Sequence, residues 1–120
     1  MSKISSIPKS FKYAIDGIKT AIKNEPNFRV HLIIAAFAIF LAYYLNFDKF
    51  EWLFLLITIS FVIILELVNT TLEAIVNLVS PKIKPQAKIA KDVSAAAVLI
   101  AAITAIFIGL FLFLPKILLR

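Results

Sequence analysis

The sequence predicts an all-α membrane protein: an N-terminal amphipathic surface helix followed by three transmembrane helices. Three observations lead there. Of the 120 residues, 62% are hydrophobic and the mean hydropathy is +0.97, against about 45–50% apolar residues in an ordinary soluble domain. Three apolar stretches of roughly 18 residues or more divide the chain, each long enough for a ~30 Å hydrocarbon core. Ahead of them lies a segment whose apolar residues return every three or four positions, with lysines on the other face. Residues 1–120 form one membrane-embedded domain. Three spans enclose little interior, so buried polar groups are expected to find partners in other subunits.

The surface helix is expected over residues 7–24. Ile7, Phe11, Ile15, Ile18 and Ile22 line one face, and Lys9, Lys12, Lys19 and Lys23 the other, the distribution of a helix lying in the headgroup plane. Ser6 is placed to cap it, and Pro8 suits its first turn. Pro26 disfavours helical geometry at Glu25 and turns the chain toward the membrane. The first span covers residues 28–45 and ends in the short turn from Asn46 to Lys49, with Trp52 suited to a membrane interface. The second covers 52–79, longer than the hydrocarbon core, so that its far end protrudes into the headgroups. Ser80-Pro81 breaks the pattern, a basic loop runs to Lys91-Asp92, and the third span covers 93–114 ahead of Pro115.

Charge sets the orientation. Residues 1–29 hold six Lys or Arg and residues 80–92 hold four, whereas the turn between the first two spans holds only Lys49. Cytoplasmic flanks carry this excess, so the N-terminus and the second loop are expected in the cytoplasm, with Lys116 and Arg120 outside. The net charge of +6 lies beside apolar spans, which favours anionic lipid headgroups as partners over nucleic acid. The first apolar run begins late and no small-residue cleavage site follows it, so the spans are expected to remain in the mature protein. With no cysteine in the chain, thiolate metal sites and a thiol nucleophile are excluded. There is no Walker A motif and no GxGxxG. The single histidine, His31, reads as an interface residue at the start of the first span.

Within the second span stand Glu66, Asn69, Thr70, Glu73 and Asn77, spaced so that all five share one helical face. A carboxylate at the depth of Glu66 costs a few kcal/mol unless it is paired, protonated or metal-bound. Lys91 and Asp92 open the third span at the membrane level of Glu73 and Glu25. Three carboxylates, an Asn and a Lys make a nest for Mg²⁺ and phosphate oxygens, since hard oxygen ligands hold Mg²⁺ and shared phosphates complete its octahedron.

The stretch from Glu66 to Asn77, ELVNTTLEAIVN, followed by AKIAKDVSAAAV from Ala87 to Val98, resembles the prokaryotic diacylglycerol kinase family. The resemblance covers nearly the whole chain, and the stretch from Asn24 to His31 looks more like the undecaprenol kinase branch. It implies a homotrimeric lipid kinase of the bacterial inner (cytoplasmic) membrane, moving the γ-phosphate of MgATP to a lipid hydroxyl at the cytoplasmic interface. Undecaprenol is the favoured acceptor; diacylglycerol, giving phosphatidic acid, is the alternative. By motif position Glu66 matches the family's catalytic base, and Glu25 and Glu73 match the carboxylates that hold the metal–nucleotide complex. Asn69 and Lys91 match residues that position substrate or phosphate, and Asp92 matches a nucleotide-side contact. The family commonly has Asp where this chain has Asn77, which removes a negative charge there.

Two other readings compete. A small proton-coupled transporter would use Glu66 as its carrier carboxylate, and a non-catalytic membrane subunit would need none of these groups. Neither requires Glu25, Glu73, Lys91 and Asp92 at one membrane level.

Overall fold

The structure, a computed structural model, describes residues 6–119; Lys3 and Arg120, counted above among the flanking charges, lie outside them. Four helices follow in order: α1 (Ile7–Asn24), α2 (Pro26–Tyr44), α3 (Lys49–Val79) and α4 (Pro85–Leu118). Among the described residues there is no strand. Helices α2, α3 and α4 are each long and apolar enough to cross a membrane. Most of their large apolar side chains are exposed, Ile33, Phe40, Ile57 and Phe111 among them, as lipid-facing or subunit-facing surfaces must be. The chain is a membrane protein.

Helix α1 exposes its apolar row, from Ile7 to Ile22, and buries only Ala21. Ser6 occupies its N-cap position without a side-chain capping bond. The break between α1 and α2 is the single residue Glu25, extended at φ −116° and ψ 102°, because the ring of Pro26 clashes with a helical conformation there. Arg29 then donates to the carbonyls of Ile22 (2.7 Å) and Lys23 (3.1 Å). A cation on the last carbonyls of α1 satisfies orphan acceptors and opposes the helix dipole.

The turn from α2 to α3 is built by named caps. Asn46 takes the left-handed conformation at φ 57°, its N–H bonds to Tyr43 O (3.2 Å) and that of Phe47 to Ala42 O (3.1 Å), the pattern of a Schellman stop. Asp48 and Glu51 then form a reciprocal capping box, at 2.9 and 2.8 Å, which starts α3 at Lys49, three residues before the expected span. Phe47 is buried with Ala42, Leu45 and Leu55, and Trp52 packs against that cluster. Trp52, expected at a membrane interface, thus packs against a buried apolar cluster.

Helices α3 and α4 form the tightest pair, an antiparallel hairpin; α2 packs on α3. The 31 residues of α3 extend about 46 Å, beyond the thickness of a hydrocarbon core. Helix α4 differs most from expectation. It begins at Pro85, inside the stretch read as a basic loop, because Pro is preorganised for the first turn and Lys88 pairs with Asp92 one turn on. It also passes through Pro115 and ends at Leu118. Proline removes one helical hydrogen bond, but Lys116 anchors the last turn on Glu51 Oε1 (3.0 Å) and Asn46 O (3.3 Å).

Candidate active site

The polar face of α3 divides between two neighbours. Glu66 and Thr70 turn toward α2 and the α1–α2 break, and Asn69 and Asn77 toward α4. Glu66 is buried, at 4% exposure, and its Oε1 lies 3.0 Å from Nε2 of His31 on α2. The Thr70 hydroxyl lies 3.1 Å from Glu66 O and 3.4 Å from Glu25 Oε1, linking the deep carboxylate's helix turn to the junction.

Glu25 and Glu73 meet carboxyl to carboxyl, with Lys91 and, farther off, Glu66 within electrostatic reach of Glu73. Glu25 can reach α3 because the break holding it is extended; one more turn of continuous helix would carry it away. On the other flank, Ser94 donates to Asn69 Oδ1 (2.7 Å) and Lys91 Nζ to Asn77 Oδ1 (2.6 Å). Asn77, where the family's Asp was noted above, therefore gives Lys91 a neutral acceptor and leaves the ammonium charge uncompensated by that bond.

The structure thus gathers Glu25, Glu66, Asn69, Glu73 and Lys91 at one end of the bundle. Asp92 stands apart from them. Its exposed carboxylate receives Lys88 at 2.6 Å, an exposed pair within the first turns of α4. His31 is the residue that sequence reasoning assigned to the interface and that the fold turns inward. No spacing rule relates it to Glu66, because the two sit on different helices.

A divalent cation fits part of this set. Among the described residues no group of three or more His, Cys, Asp or Glu side chains could hold a metal. The Glu25–Glu73 pair offers two carboxylates that repel each other unless a proton or cation stands between them. That is the donor count Mg²⁺ uses when phosphate oxygens and waters supply the remaining positions.

Residues 12–113 match the family model described as prokaryotic diacylglycerol kinase. The chain belongs to that family. Similarity to individual members supports the assignment. The kinase is 37% identical over 108 residues to the undecaprenol kinase of Bacillus subtilis (strain 168), covering 90% of this chain and 88% of that protein. It is 42% identical over 110 residues to a diacylglycerol kinase of Synechocystis, covering 91% of this chain and 63% of that protein. To the diacylglycerol kinase of Escherichia coli (strain K12) it is 32% identical over 100 residues, covering 83% and 82%. Family membership makes this chain an enzyme, a lipid kinase.

Proposed function

We propose that the chain transfers the γ-phosphoryl group of MgATP to the hydroxyl of a membrane lipid, with undecaprenol as the acceptor. The observation that carries the reading is the depth order on α3. A buried carboxylate, Glu66, lies seven residues, or about 10 Å, from Glu73, which contacts Glu25. One carboxylate meets a lipid hydroxyl while the other two meet a nucleotide. The choice of the polyprenol over diacylglycerol rests on the stretch from Asn24 to His31, which looks more like the undecaprenol kinase branch; relatives of both names are similar to this chain, at 37% and 42% identity.

Phosphoryl transfer asks a protein mainly for positioning and for neutralisation of charge. Glu66 accepts the proton of the lipid hydroxyl as its oxygen attacks phosphorus and the β–γ bridging bond breaks, leaving ADP. Lys91, which carries its charge into a contact with neutral Asn77, attracts the transferring phosphoryl oxygens. Asn69 is held for a polar contact by Ser94. Glu25 and Glu73 would hold Mg²⁺, whose charge would neutralise the β- and γ-phosphates. Asp92, paired with Lys88 at the exposed flank, serves the nucleotide side.

The lipid enters from the bilayer. A cavity of about 340 Å³ between α2, α3 and α4, which includes His31, Thr58 and Phe113 in its lining, is otherwise walled almost wholly by apolar side chains, which suits an apolar acceptor. The basic flanks support a site at the cytoplasmic face of the bacterial inner membrane, with α1 lying on that face against anionic headgroups. A homotrimer would cover part of the apolar surface that one chain leaves exposed.

The test is transfer of labelled γ-phosphate from MgATP by the purified protein, with undecaprenol and diacylglycerol offered separately in mixed micelles. Faster labelling of undecaprenol is the expected result; preference for diacylglycerol assigns that acceptor instead. Folded protein that labels neither lipid with Mg²⁺ present overturns the kinase reading and returns Glu66 to the transporter alternative.

A further inference from the structure

His31 is the only histidine of the chain, and none of the roles above uses it. Its Nε2 stands 3.0 Å from Glu66 Oε1, with the two side chains 23% and 5% exposed. On α3, Glu66 is the ionisable group that meets it. At the α1–α2 break, Glu25 reaches the same region only through Thr70, and Glu73 acts on Glu66 at longer range. Across the cavity α4 presents Ala102, Ala105 and Ile106, none of which can bear charge. The imidazole therefore sits where the apolar cavity ends and the carboxylate begins.

A base must be ionised to take a proton, and a buried carboxylate stays ionised only with a partner. An imidazole N–H supplies that partner and fixes the carboxylate's rotation as well. The contact is made through Oε1 of the carboxylate.

We propose that His31 is a positioning residue for the phosphoryl transfer, its Nε2–H holding Oε1 of Glu66 so that Oε2 faces the lipid hydroxyl. The assignment rests on the kinase reading of Glu66. The lipid O–H proton passes to Oε2 as the new O–P bond forms and the bond to ADP breaks, and the proton on His31 Nε2 stays in place. The residue acts through Glu66 and touches neither substrate.

Two substitutions separate positioning from mere packing. His31→Phe keeps a ring of similar size without a donor and is expected to lower kcat about 10²-fold, with KM for MgATP within about twofold of the parent. His31→Gln can place an amide N–H near the position of Nε2 and is expected to recover kcat to within about fivefold. A His31→Phe enzyme at the parent rate, or a His31→Gln enzyme as slow as His31→Phe, overturns the proposal.

A second measurement holds even where a variant fails to fold. In ¹⁵N-histidine-labelled full-length protein the single imidazole gives one set of ring signals. The Nε2-protonated form is expected, with its Nε2 resonance moving clearly in Glu66→Gln. An unchanged spectrum breaks the pair irrespective of activity. Parent protein that labels neither lipid, while its histidine spectrum still responds to Glu66→Gln, sinks the kinase reading and leaves the contact standing.

Discussion

The α3–α4 hairpin is held at both ends, by opposite means. At the Asn46 end, Phe47 fills an apolar cluster with Ala42, Leu45 and Leu55, its ring 4.9 Å from that of Phe113, and Lys116 closes the edge on Glu51. At the Glu73 end, the helices meet through polar pairs, Ser94–Asn69 and Lys91–Asn77, and the Glu25 and Glu73 carboxyls interact with each other. One end closes on packed aromatic side chains and an ion pair; the other bonds Lys91 to a neutral amide and sets two carboxyls against each other. Stability and chemistry are thus separated along a single pair of helices, and each end can be broken without the other.

The largest effect belongs to the site. Glu66→Gln is nearly isosteric but cannot accept a proton, so kcat should fall about 10³-fold or more. Nucleotide binding, about 10 Å away along α3, should survive, as titration of MgATP by calorimetry or fluorescence would show. Loss of nucleotide binding in a folded Glu66→Gln protein would refute the division of labour along α3.

Next comes Phe47→Ala at the opposite end. Removing a buried aromatic costs about 3 kcal/mol or more, and the midpoint of unfolding in micelles should drop accordingly. Activity per folded molecule should hold, since Phe47 touches no site residue. A large rise in KM for MgATP in the folded variant would show that the two ends are coupled.

These contrasts also explain what could be read without coordinates. The polar stripe was legible because α3 is apolar elsewhere, and five polar residues at helical spacing stand out against that background. The position of Glu25 was legible from Pro26. The start of α4 was not: its first turns carry Lys88, Lys91 and Asp92, and a charge-rich stretch after Pro81 has the composition of a loop. Its helical order comes from Pro85 at the N-terminus, the Lys88–Asp92 pair, and contacts with α3 that lie far off in sequence. The continuation through Pro115 likewise comes with a contact far off in sequence, Lys116 reaching across to Glu51. The contact of His31 with Glu66 was not legible, since only the packing of α2 on α3 brings the two together.

A smaller effect is expected from Lys91→Met, which keeps the length of the stem and removes the charge. A charge-assisted contact contributes about 1.5–3 kcal/mol, so kcat/KM for MgATP should fall by at least about tenfold. The asymmetry between the ends sharpens here. Lys91 is bonded to a neutral amide and has its charge available for phosphate, whereas Lys116 is already neutralised by Glu51. Equal kinetic losses in Lys91→Met and Lys116→Met would erase that distinction.

The smallest effect should be that of Lys116→Met itself. The Lys116–Glu51 pair is partly exposed, with side chains at 30% and 23%, and ion pairs of that kind contribute about 1 kcal/mol or less. Lys116 also reaches Asn46 O and lies 6.0 Å from the centre of the Phe47 ring, but the capping box and the Schellman stop hold the turn without it. The unfolding midpoint should shift only slightly and kinetics should not change. Fraying of the last turn, read by faster amide exchange from residue 116 to 119, is the expected signature, because Pro115 has already removed one of the hydrogen bonds that would hold that turn. Protection equal to the parent's would mean that the helix crosses Pro115 on its own packing, and that the latch is incidental to it.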